Sequence, residues 1–119
     1  MIRKLFLTAT IAVAMLAADT LADARKMLAG KKYDEAIALL ESANKTKSTP
    51  EVKKALAEAN LAKGDAFMAD NAVAPRVKYP TALRAYREAL KYDKDNKKAQ
   101  QNIATIEGIY KSMGRPVPQ

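Results

Sequence analysis

Tyr33-Asp34-Glu35-Ala36-Ile37, with Leu40 and Ala43 behind it, returns later in the chain as Tyr79-Pro80-Thr81-Ala82-Leu83, with Tyr86 and Ala89 behind it. In each copy an aromatic precedes an alanine by three residues. A large apolar residue follows that alanine by four, and a second alanine comes three further on. Steps of three and four put all these positions on one face of a helix. A helix with a single apolar stripe cannot bury it alone, so a doubled one predicts stacked helical hairpins and an all-α fold. Arrays of that kind present a surface to another molecule, which points to binding rather than catalysis.

Outward from the two copies, the punctuation is helical throughout. Asp19 to Ala29 reads as a first helix, closed by Gly30 with Lys31 and Lys32 alongside. Tyr33 to about Asn44 is the second, with Asp34 and Glu35 in its first turn, where the helix dipole favours negative charge. Lys45 to Thr49 is a polar loop, and Thr49-Pro50-Glu51 is a cap-and-start signal for a long third helix to about Ala69. Gly64 lies inside that helix at a cost in propensity, which predicts close packing there. Asp70 to Pro80 holds two prolines and no clear period, and is expected to be a long connection. A fourth helix runs from about Pro80 to Tyr92 and a fifth from Lys97 to about Ser112. Gly114 stops the fifth, and Arg115-Pro116-Val117-Pro118-Gln119 is an extended tail.

The first 18 residues have a different character. Arg3 and Lys4 precede Leu5 to Ala18, an uncharged run of about 14 residues, too short to span a bilayer as a helix, for which roughly 20 are needed. With small residues at Ala17-Ala18 and again at Ala22, the pattern predicts a signal peptide over residues 1–18, cut after Ala18 or alternatively after Ala22. The domains expected are then 1–18 signal, 19–112 helical domain and 113–119 tail. Export to the periplasm or beyond the cell follows, in a chain with no cysteine to form a disulfide or carry a lipid anchor. Without the signal, the formal charge of +8 falls by two.

Histidine, cysteine and tryptophan are all absent. That removes the common zinc, haem and thiol sites and the most frequent general base, so no cofactor, no metal and no enzyme activity are expected. Pairs such as Asp34 and Glu35 are explained by the helix start. Nucleic acid is not expected as a partner, since aromatic residues are few and no groove-reading motif appears.

Gly30-Lys31-Lys32-Tyr33-Asp34-Glu35-Ala36-Ile37, with Ala43, resembles the middle of a tetratricopeptide (TPR) repeat. Tyr79 to Asn96 resembles a second copy, and Gly64-Asp65-Ala66-Phe67 the first-helix signature. Two departures stand out: 46 residues separate Tyr33 from Tyr79, against a family period of about 34, and Met27 stands where an aromatic is usual. The resemblance implies a short TPR-like α-solenoid of about two hairpins with a C-terminal capping helix. In that family the first helices of the hairpins line a groove that takes partner segments. Carried over, this makes Arg25, Leu28, Glu58, Leu61, Asp65, Met68, Asn102 and Thr105 the groove candidates. The tyrosines are assigned to packing, except Tyr92 and Tyr110, which lie near element ends and are left as outward-facing.

The expected function is a non-enzymatic adaptor of the bacterial cell envelope that binds a protein segment in this groove. With about three repeats needed for an independent array, self-association or docking into a larger assembly is also expected. The alternative is a basic envelope-surface binder, in which Lys45, Lys47, Lys53 and Lys54 around one loop and Lys91, Lys94, Lys97 and Lys98 around another hold anionic lipid or cell-wall polymer.

Overall fold

A computed structural model describes residues 17–119; the signal-peptide expectation falls almost wholly on 1–16 and lies outside the described residues. Among the described residues there are five helices and no strand: α1 (17–29), α2 (Tyr33–Thr46), α3 (Pro50–Ala69), α4 (Pro75–Tyr92) and α5 (Lys97–Ser112). Short connections make successive helices antiparallel neighbours, and α3 packs against both α2 and α4, while α5 packs against α4. None of these helices is long and apolar enough to cross a membrane.

The doubled pattern is the packing face. Ala36 and Ala82 are fully buried, and so are Leu40 and Tyr86 four residues beyond them. Each copy serves its own core. One cluster joins α1, α2 and the first half of α3 around Ala24, Leu40, Val52, Leu56 and Ala59. The other joins α4 and α5 around Leu83, Tyr86, Ile106 and Tyr110, with Leu61, Phe67 and Met68 from the second half of α3 against it. The central helix is therefore apolar on more than one side, which is why Ala57 and Asn60 are buried as well. The Asn60 side chain meets the cost of burial by donating from Nδ2 to the Leu56 carbonyl of its own helix at 2.9 Å.

Three expectations are corrected. The segment from Asp70 to Pro80 is not a long loop, because α4 begins at Pro75 and runs through Pro80. The connection is only 70–74, organised by Asp70, whose Oδ1 accepts from the Ala72 amide at 2.9 Å. Pro80 has no amide to donate to the Arg76 carbonyl one turn back, a bond this helix goes without. The residues in excess of a 34-residue period thus lengthen α3 and α4 to 20 and 18 residues rather than the loop. Tyr110 is the second correction: it is 9% exposed, with its ring edge-on to Tyr79 at 6.5 Å. Tyr92 is half-buried against the first cluster.

The third concerns the end of α1. Lys32 N–H donates to the Met27 carbonyl at 2.8 Å and Lys31 N–H to that of Leu28 at 3.0 Å, the double bond of a Schellman cap. Its left-handed position is Lys31, at φ 60°, one residue after Gly30. The α5 end repeats the geometry with Gly114 in that role, at φ 66°. Lys31→Gly is expected to stabilise the fold by up to about 1 kcal/mol by removing the left-handed strain of a residue with a Cβ. Urea unfolding checks it, and a loss of stability would contradict the cap assignment. The start of α3 is as expected: Thr49 Oγ1 accepts from Val52 N–H at 3.2 Å ahead of Pro50. Residues 17 and 18 are already helical, ahead of the expected start at Asp19.

Candidate functional site

Gly64 and Tyr86 hold α3 and α4 together. A Cβ built on Gly64 would lie 2.5 Å from Cε1 of the Tyr86 ring, so the ring rests directly on the glycine backbone. The ring is 1% exposed, yet its hydroxyl reaches the edge of the core. There it donates to Asp65 Oδ1 at 2.7 Å, and Asn102 Nδ2 on α5 donates to the same oxygen at 3.2 Å. Residues from three helices are thus joined through one carboxylate oxygen. Burial, reinforced by the Asp65 carboxylate, pushes the Tyr86 phenol far above its ordinary range, so it remains a donor at any physiological pH.

Asp65, Met68, Asn102 and Thr105 line one open depression of about 310 Å³ between α3 and α5, with Ala69 and Tyr86 completing it. Four of the eight groove candidates therefore come together. Thr105 donates its hydroxyl proton to the Gln101 carbonyl at 3.0 Å, which leaves the hydroxyl oxygen as an acceptor. Asp65 Oδ2 has no hydrogen bond among the described residues. The depression is a set of acceptors beside an apolar thioether wall.

The other four candidates lie elsewhere. Leu61 packs against the second cluster and Leu28 against the first, so both contribute to cohesion. Arg25 and Glu58 are exposed and line none of the depressions described. On the opposite side of the α3 axis, a partly buried Lys63 pairs with the exposed Asp34 of α2 at 2.7 Å, a bridge of small energetic worth.

Two features escaped the sequence reading. An apolar cavity of about 280 Å³ lies where α1, α2 and the start of α3 meet, lined by residues including Ala17, Leu39, Ala43 and Val52. Leu39 was the available signal, since the repeat face does not require it. The second is the tail, which is folded back onto the last hairpin: Val117 packs on the second cluster and Arg87 Nη1 donates to the Pro118 carbonyl at 2.8 Å. No group of His, Cys, Asp or Glu among the described residues is placed to hold a metal.

No protein-family model matches the chain, and no curated protein or solved structure matches it either.

Proposed function

We propose that the chain is a short TPR-like solenoid, exported to the cell envelope, that works as a non-enzymatic adaptor by holding a partner's peptide segment between α3 and α5. The observation that carries this reading is the Asp65 carboxylate. Its Oδ1 is fixed by donors from α4 and α5, while Oδ2 is left for a ligand beside Thr105 and Met68. A pre-oriented anion loses little freedom on binding, and preorganisation is where affinity is gained cheaply. The chemistry selects N–H donors: a lysine or arginine side chain, or backbone amides of an extended segment. Arg25 and Glu58 extend the same row of first helices and would contact the segment farther along.

Affinity capture from the envelope fraction, comparing the native chain with Asp65→Asn, tests the reading. The substitution removes the charge but keeps an oxygen for Tyr86. A specific protein retained by the native chain should be held at least about tenfold more weakly by the variant, equivalent to roughly 1.4 kcal/mol. Equal retention by a variant that melts normally would sink the proposal. Self-association is the accompanying expectation, and a sharp monomer in sedimentation with cooperative melting would count against it.

A second reading has its own support. The loops that precede α3 and α5, with Lys45, Lys47, Lys94 and Lys97 in or beside them, lie at the same end of the antiparallel array as the start of α1, and all eight lysines of the two clusters are exposed. A basic pole of this kind suits an anionic envelope surface. Binding to anionic vesicles that disappears at high salt would favour it over peptide capture.

A further inference from the structure

The segment after α5 has no regular secondary structure, yet it is ordered by three devices. Gly114, in the left-handed conformation, reverses the chain after α5, and Arg115 N–H donates to the Tyr110 carbonyl at 3.0 Å. Val117 then inserts against the second core cluster. The Arg87 guanidinium secures the next carbonyl, that of Pro118, at 2.8 Å. On its α5 side the tail borders a depression of about 500 Å³ shared with Ala104, Glu107, Gly108 and Lys111. On its α4 side it borders one of about 180 Å³ shared with Pro80, Leu83, Arg84 and Arg87. Gly108 has nothing within 4 Å of where its Cβ would be, so α5 offers a bare backbone beside the strap.

This is the architecture of a peptide groove with its peptide in place. Pro116 and Pro118 hold the segment extended before it binds, Val117 between them is the apolar anchor, and Arg87 reads a backbone carbonyl. The cap at Gly114 belongs to the covalent end of α5, but the Val117 packing and the Arg87 bond to the Pro118 carbonyl do not require that attachment. We propose that the outer face of the α4–α5 hairpin is a second binding site, for an extended segment carrying an apolar residue between two prolines, and that the chain's own tail is the competitor that closes it. The tail gates the site by local concentration. A tethered segment is present at an effective millimolar level, so only a ligand that binds better or arrives at higher concentration displaces it. The face lies beyond the Asp65 depression, and the proposal stands whether or not that depression binds a partner.

The test uses the full chain and a synthetic peptide of the tail's own sequence, Gly-Arg-Pro-Val-Pro-Gln, followed by amide chemical shifts up to about 5 mM peptide, the range of tethered concentrations. Val117→Asp releases the tail without shortening the chain, and Val117→Ser does so more mildly if the aspartate disturbs the fold. In either variant the peptide is expected to shift amides of 80–87 and 104–111. In the native chain it should bind about tenfold more weakly, the reduction for a site free about a tenth of the time. Adding Arg87→Ala to the released variant should weaken the peptide again. A folded, released variant that shows no shifts on α4 and α5 would overturn the proposal. So would equal binding to native and released chains, because the peptide would then not compete with the tail.

Discussion

Gly64→Ala is expected to destabilise the protein by about 2 kcal/mol or more, although alanine is the better helix former by about 1 kcal/mol. The added methyl would sit 2.5 Å from Cε1, 2.8 Å from Cδ1 and 2.8 Å from Cζ of Tyr86. Real carbon atoms do not approach so closely, so the ring or the helix must move. The ring has nowhere to go: it is 1% exposed and its hydroxyl is tethered to Asp65. Inserting a methyl into a packed core costs typically 1–3 kcal/mol and sometimes more, and here the displaced group also carries the hydrogen bond that orients the carboxylate. Urea unfolding of the native chain and the variant measures the difference. A stabilised Gly64→Ala, as propensity alone would give, would mean that α3 and α4 do not approach through this pair.

Alkaline solution should reach the same junction from the other side. The Tyr86 phenol titrates well above the ordinary value of 10.0 in the folded protein, chiefly because it is buried and then because it donates to Asp65. Below pH 10 the phenol is neutral in both folded and unfolded chains, so this group leaves stability unchanged. Above it the unfolded chain gives up the proton first and the folded state is penalised, by up to about 1.4 kcal/mol for each further pH unit. Tyr86→Phe removes that dependence at the cost of one hydrogen bond to a charged group, about 1.5–3 kcal/mol at neutral pH. The two stability curves are therefore expected to converge between about pH 10 and 12. Parallel curves would show that Tyr86 is not the buried donor described. Tyr92, also raised by burial and by Glu41, contributes to both curves alike and cancels.

Much of this junction was legible residue by residue, but not as a junction. Gly64 stood out because a glycine inside a helix is expensive, and Tyr86 because it repeats the role of Leu40. Their contact, across 22 residues and a turn, is a tertiary fact that no local pattern encodes. Asp65 and Asn102 were each singled out as groove residues and do share a hydrogen bond between α3 and α5. Leu61 was singled out likewise yet is spent on packing, since α3 serves two cores and needs apolar residues on more than one side, and Leu28 packs on the first core from α1. The extra length of the second hairpin was misread for a physical reason. Pro75 and Pro80 signal a break, but Pro75 at the first helical position forfeits no intrahelical bond, and the chain stays helical through Pro80 although that residue lacks the amide for one. The tail was read as merely extended; what escaped notice is that Arg87 and Pro118, 31 residues apart in sequence, meet across the last hairpin, with Val117 packed on the core between them.

The most direct test of the central claim is to map a bound peptide on the folded protein. A peptide selected from a random library on the immobilised full chain, titrated into labelled protein, is expected to shift Asp65, Met68, Asn102 and Thr105, and to lose those shifts in Asp65→Asn. Shifts confined to the lysine-rich end or to the outer face of α4–α5, with the Asp65 depression silent, would contradict it.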